Sequence, residues 1–192
     1  IDLDTSNGQV AWVGHPDDHY AVFLYDGSTV TEISEASIIS EVVIDNGIIA
    51  WTSWHGGNGG EVYYYDGGTT TQLTNTIATD YGPQISGGQV TWYSDIGNGN
   101  EIFLYDGTTV SQLTDNLVAD EDPQIDDGNV VWSGWDGTDF EIYLYDGNEI
   151  SQITDNAEDD QVPDINNGQI IWARDAGYLD EIYVYNGCET IQ

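Results

Sequence analysis

The residues best equipped for chemistry in this chain are carboxylates gathered at recurring places. Asp95, Asn98, Asn100 and Glu101 form one set, Asp136, Asp139 and Glu141 a second, and Asp175, Asp180 and Glu181 a third. Asp80, Asp120 and Asp160 each stand three residues ahead of a proline. Carboxylates brought within about 4 to 6 Å of one another must protonate, move apart or share a cation. Calcium suits such sets, because it takes about six to eight oxygens from carboxylates, amides, backbone and water in irregular loops. None of the sets matches an EF-hand loop. A second reading stands beside calcium. Asp and Asn also cap turns through their own side chains, and a lysine-free acidic surface keeps a salt-adapted protein hydrated.

Other side chains suggest other ligands. His15, His19 and His55, with Asp17 and Asp18 near the first two, offer the imidazole and carboxylate groups that hold zinc or copper. Trp54 and Trp135 lie three residues past a recurring tryptophan, where the other copies have His15, Asp95 and Asp175. An indole beside carboxylates and amides can stack on a sugar ring, so Trp54, Trp135 and His15 are the candidate ligand contacts.

Catalysis finds little support. No Gly-x-Ser-x-Gly turn is present, and two acids near one another mean little among 35. One arginine, Arg174, and no lysine remain to stabilise developing negative charge. The expectation is therefore no enzyme, with a polysaccharide-cleaving enzyme as the remote alternative.

The elements that must position these residues repeat five times. Tryptophan recurs at Trp12, Trp51, Trp92, Trp132 and Trp172, in steps of 39, 41, 40 and 40 residues. Tyr-Asp-Gly follows at Tyr25, Tyr65, Tyr105 and Tyr145, and Tyr-Asn-Gly at Tyr185. A period near 40 filled with short strand-like runs predicts an all-β, five-bladed β-propeller with four antiparallel strands per blade. The whole of 1–192 reads as one domain, with repeats at roughly 1–40, 41–82, 83–122, 123–162 and 163–192.

Within a copy, Pro83-Gln84-Ile85 begins the first strand and Gly87-Gly88 turns it. The strand through Trp92 is the second, 101–105 the third, and the run through Val110, Gln112 and Leu113 the fourth. Asn-Gly and Asp-Gly pairs in the other copies tolerate the positive φ angles of two-residue hairpins. Tight turns thus occupy one end of each blade, and any site belongs to the other end, where the longer loops gather the acids. The repeat tryptophans, mid-strand in apolar runs, are core residues. The last blade reads as complete without a strand lent from the other terminus, so closure of the ring rests on sheet-to-sheet packing and leaves outer edges able to pair with another chain.

Gln112-Leu113-Thr114, Asp120-x-x-Pro123, a glycine turn, a strand ending in Trp132 and Glu141 to Gly147 together resemble the TolB-type β-propeller repeat. Where that family usually has Trp-Ser-Pro-Asp-Gly, this chain has Ile-Ser-Gly-Gly or Ile-Asp-Asp-Gly. The resemblance implies a propeller serving as a binding platform.

Charge narrows the partners. A net charge of −34 repels nucleic acid and anionic membranes, and no apolar run is long enough to span a bilayer. Metal cations, other protein chains, further copies of itself or glycans remain. Methionine is absent and Ile1 comes first, which points to processing by removal of a secretory signal and to a secreted or cell-surface location, including high-salt surroundings. Cys188, alone, excludes an internal disulfide and reads as a small residue in a surface turn, with a bond between chains as the alternative. The reading is a secreted, acidic, calcium-stabilised binding or structural scaffold. Its alternatives are a subunit of a self-assembling extracellular structure or filament and a glycan-binding lectin.

Overall fold

A computed structural model describes residues 2–36, 38–54, 59–97, 99–177 and 179–192. Twenty strands form five four-stranded antiparallel sheets, each built from four consecutive strands. Blade 1 holds β1 (Leu3–Ser6), β2 (Gln9–Gly14), β3 (Tyr20–Tyr25) and β4 (Val30–Ala36). Blade 2 holds β5 (Ile38–Asp45), β6 (Ile48–Trp54), β7 (Gly60–Tyr65) and β8 (Thr70–Gln72). Blade 3 runs through β9 (Thr79–Ser86), β10 (Gln89–Asp95), β11 (Asn100–Tyr105) and β12 (Val110–Gln112). Blade 4 comprises β13 (Asp120–Asp126), β14 (Asn129–Trp135), β15 (Phe140–Tyr145) and β16 (Ile150–Gln152). Blade 5 ends the chain with β17 (Asp160–Asn166), β18 (Gln169–Asp175), β19 (Asp180–Tyr185) and β20 (Thr190–Ile191). The five-bladed β-propeller expected from the repeat is the fold observed.

The turn chemistry follows from residue type. Asn7, Asn46, Asp127 and Asn167 take φ between 48° and 50°, and the glycine after each is also positive, which is the geometry a two-residue hairpin demands. In the Tyr-Asp-Gly turns the aspartate accepts backbone N–H bonds from two and three residues on, as Asp106 does from Thr108 and Thr109 at 2.8 Å. Asn186 repeats the arrangement with Cys188 and Glu189. Those acids serve turns and stand apart from the loop end.

Each sheet has two apolar faces because alternate side chains point opposite ways. The leading face carries the repeat tryptophan, stacked on the aromatic residue opposite it in the third strand at 5.5 to 5.9 Å between centroids. The trailing face of the preceding blade covers it: Ala50 and Val62 pack with Val90 and Trp92, and Val131 and Ile142 with Ile170 and Trp172. Among the described residues four such cores join the five blades, and none joins blade 5 to blade 1. The packing expected to close the ring is therefore not made, and five blades form an open arc.

First strands are longer than their prolines suggest. β9, β13 and β17 begin ahead of the proline and pass through a register shift, with Gly82, Asp122 and Val162 at φ 53° to 59°, so Asp80, Asp120 and Asp160 lie within strands. A β-bulge of this kind bends the strand yet keeps it paired on both sides of the irregularity.

Candidate cation site and loop face

Position decides what the recurring acids do. Asp80, Asp120 and Asp160, expected in interblade loops as extra calcium ligands, are buried instead against the second strand of their own blade. Asp120 Oδ1 accepts the indole N–H of Trp132 at 3.0 Å, and Asp160 Oδ1 that of Trp172 at 2.9 Å. The second oxygen of each accepts a side-chain N–H, from Asn116 at 2.7 Å and Asn156 at 2.8 Å. Asp160 also takes two bonds from Arg174, at 2.8 and 2.9 Å, so the single cationic side chain of the sequence is spent on this network. Burial pushes the carboxyls of Asp80 and Asp120 above their ordinary range.

The third-strand glutamates hold the loop that leads to the next blade. Glu101 and Glu141 are fully buried, and Oε1 of each accepts a backbone N–H fifteen residues on, from Asn116 at 3.0 Å and Asn156 at 2.6 Å. Glu61 does the same for Thr76 at 3.1 Å. Desolvation raises the carboxyls of Glu101 and Glu141.

Of the three predicted calcium sets, the structure gathers one. Asp136, Asp139 and Glu141 bring one oxygen each to within 4.8 Å of the others. That spacing is about twice a calcium–oxygen bond of roughly 2.4 Å, the widest separation two ligands of one ion can have. The loop between β14 and β15 makes it possible: Asp136 Oδ1 accepts the Thr138 hydroxyl at 2.7 Å and backbone N–H bonds from Thr138 and Asp139 at 2.8 and 3.3 Å. These bonds, the Thr138 hydroxyl first, hold the Asp136 carboxyl below its usual range and keep it ionised. Asp139 is 7% exposed, and its Oδ1 accepts the same hydroxyl at 2.6 Å while its buried Oδ2 has no hydrogen-bond partner. Asp139 ends the loop, and Glu141 is the second residue of β15.

The carboxylates of the other two sets form no such group of three among the described residues. In blade 3, Asp95 is exposed and bonded to Gly97 N–H at 2.9 Å, Asn100 donates to Glu121 at 2.8 Å, and Asn98 lies outside the described residues. In blade 5, Asp175 accepts from Gly177 and Glu181 from the Tyr183 hydroxyl at 3.1 Å, with Asp175 and Asp180 both exposed. Position 139 differs between the copies, because the corresponding residues are Gly99 and Leu179, which carry no side-chain oxygen.

Among the described residues, one histidine joins a group of carboxylates. His15 sits edge-on to Tyr20 at 4.8 Å, and His55 lies outside the described residues. His19 instead meets Glu32 and Glu35 of β4, one ligand atom from each within 4.8 Å of the others. Those two glutamates were not foreseen as partners, although a fourth strand with acids differs from the Ser-Gln and Thr-Gln endings of other copies. Trp54 and Trp135 are half-buried, edge-on to Tyr81 at 6.1 Å and Phe140 at 5.3 Å, so packing claims part of each indole. A groove invisible in the sequence opens on the loop face between blades 2 and 3, lined by Ile77, Asp80, Trp92, Ile96 and Phe103. Cys188 is exposed and unpaired.

Comparison with solved structures agrees with this architecture. The chain superposes on the β-propeller domain of the Trilobed protease from Pyrococcus furiosus with a TM-score of 0.63 and 14% identity, over 96% of this chain and 80% of that one. TolB from Acinetobacter baumannii gives 0.64 at 17% identity, over 96% and 51%. The fold is that of a TolB-type β-propeller. A Pyrococcus horikoshii acylaminoacyl peptidase matches with a TM-score of 0.73 and 16% identity, but this propeller spans 36% of that chain, as it spans about half of TolB. No protein-family model matches the sequence, and no curated protein matches it significantly. No helix among the described residues is long and apolar enough to cross a membrane.

Proposed function

We propose that the protein is a non-enzymatic, secreted scaffold for other protein chains whose loop face is stabilised by calcium bound between Asp136, Asp139 and Glu141. The observation that carries this reading is Asp139 Oδ2, buried without a hydrogen-bond partner in the one carboxylate trio that converges in the second-to-third-strand loops among the described residues. A buried carboxylate oxygen left unmatched is costly, and a cation removes that cost. Three carboxylates leave room for backbone or water oxygens to complete the shell, as in weak extracellular calcium modules. An ion there would tie the β14–β15 loop to Glu141 and so to the loop that enters blade 5.

Thermal unfolding in chelator, in millimolar calcium and in molar sodium chloride tests the proposal. Calcium at about a hundred times its dissociation constant adds about 2.7 kcal/mol. For a chain of this size that is a rise of about 5 to 10 °C. Asp139→Asn should abolish the rise and keep the fold. Recovery with sodium chloride equal to that with calcium, or a full calcium response in Asp139→Asn, would sink the site.

A further inference from the structure

Blades 3, 4 and 5 place the same aspartate beside the repeat tryptophan, and among the described residues only blade 3 leaves it short of a partner. Asp160 of blade 5 is fully matched: Trp172 and Arg174 donate to Oδ1 at 2.9 and 2.8 Å, and Asn156 and Arg174 donate to Oδ2 at 2.8 and 2.9 Å. Asp120 of blade 4 is matched by Trp132 and Asn116. Asp80 of blade 3 is 2% exposed, and its Oδ1 accepts the Ser94 hydroxyl at 2.6 Å, but its buried Oδ2 has no hydrogen-bond partner. Two differences between the copies cause this. Thr76 stands where Asn116 and Asn156 do, with its backbone N–H on Glu61 as theirs are on Glu101 and Glu141, and its hydroxyl accepts the Ala78 N–H at 3.1 Å. Ser94 stands where Arg174 does, opposite the aspartate in the strand register. The indole N–H of Trp92, which faces the same carboxyl, is also buried without a partner.

The groove between blades 2 and 3 reaches these groups. Asp80, Trp92, Ser94 and Phe103 line it together with the exposed Ile77 and Ile96, around a space of about 600 Å³. Blade 5 shows what such a seat holds, since the Arg174 guanidinium bonds both oxygens of Asp160 and lies 4.2 Å from the centroid of the Tyr183 ring. Phe103 opposes Trp92 as Tyr183 opposes Trp172, so blade 3 repeats the carboxylate and the ring without the guanidinium. We propose that this groove binds an arginine side chain of a partner protein chain, with the guanidinium on Asp80 and its flat face on Phe103. A planar fork of N–H donors matches a carboxylate and stacks on a ring, while Ile77 and Ile96 take the apolar stem. Turned as Asp160 is, the Asp80 carboxylate also gives the Trp92 indole its acceptor. The net charge of −34 draws basic segments towards the protein, and the 192 residues hold no arginine or lysine besides Arg174 to fill the seat. The inference rests on the reading of the protein as a scaffold for other chains, but it makes no use of the calcium site in blade 4.

Calorimetric titration of the full chain with a blocked pentapeptide carrying arginine between two leucines, beside the same peptide with lysine, tests the site. The arginine peptide should bind about tenfold or more tighter than the lysine peptide, because an ammonium lacks the fork and the flat face. Asp80→Asn keeps the size of the side chain and an acceptor for Ser94, and it should weaken the arginine peptide about tenfold or more. Ser94→Arg copies blade 5, fills the seat from within and should weaken the peptide similarly, which keeps the test alive if Asp80→Asn fails to fold. Equal binding of both peptides, or arginine binding unchanged in either folded variant, would mean general attraction to an acidic surface and would overturn the proposal. So would binding of butylguanidinium without binding of the peptide, which would make a free alkylguanidine the occupant. Absence of peptide binding in a protein whose melting temperature still rises with calcium would overturn the groove and leave the calcium reading of blade 4 intact.

Discussion

Ile142 and Ile182 are a matched pair, the same residue at the same point of blades 4 and 5, and truncating each to alanine measures whether the arc is open. Ile142 is 0% exposed between Trp172 and its own sheet, and Ile182 is 61% exposed. Removing three carbons from a buried site forfeits about 2.4 kcal/mol of transfer energy at about 0.8 kcal/mol each. The cavity left behind brings the usual cost of Ile→Ala in a core to about 2 to 5 kcal/mol. For Ile182 only the covered fraction of those carbons counts and no enclosed cavity forms, so the loss should stay under about 1 kcal/mol. Urea unfolding followed by tryptophan fluorescence gives both numbers, read from midpoints at constant slope. The expected difference is about 2 kcal/mol or more. Equal losses at the two sites would show that blade 1 covers Ile182 and would refute the open arc.

Two further changes test the buried acids and the bulge. Burial raises the carboxyls of Asp80, Asp120 and Glu101, so their ionisation costs stability as pH rises through the raised values, and that cost is absent at lower pH. The turn aspartates Asp66, Asp106 and Asp146 are lowered by backbone N–H bonds and contribute in the opposite sense, losing their effect as pH falls below 3.8. The melting temperature should therefore rise as pH falls through the raised carboxyl values towards their ordinary range and drop below pH 3.8, and Asp80→Asn, which removes a buried charge while its Ser94 partner is kept, should flatten the upper limb. An upper limb as steep in Asp80→Asn as in the parent would count against that assignment. Val162→Gly should stabilise by about 1 kcal/mol, because this exposed β-branched residue holds φ 53° where blade 3 has Gly82; no change in urea midpoint would refute that strain.

Much of the architecture was legible because each repeat states it locally. Asn-Gly and Asp-Gly pairs name their hairpins, and tryptophans in mid-strand name a core. The trio Asp136, Asp139 and Glu141 was one of three sets the sequence offered alike, and the hydrogen bonds within its loop, which distinguish it, are not written in the spacing. Asp80, Asp120 and Asp160 were misplaced, because a proline three residues on reads as a strand start and nothing in the spacing reveals a bulge that lets the strand begin earlier. Glu32 and Glu35 reach His19 only through the pairing of β3 with β4, a contact that loop composition does not encode.

The sequence by itself determined five blades, their strand order and the face on which acids collect, because period, turn residues and alternation act within about 40 residues of one another. Tertiary structure decided which acids converge and which brace the tryptophans, since burial and partner geometry are set by neighbouring blades. It also decided that the ring stays open. Identical repeats carry the same apolar pattern at the ends as in the middle, and only the presence or absence of a covering blade distinguishes Ile142 from Ile182.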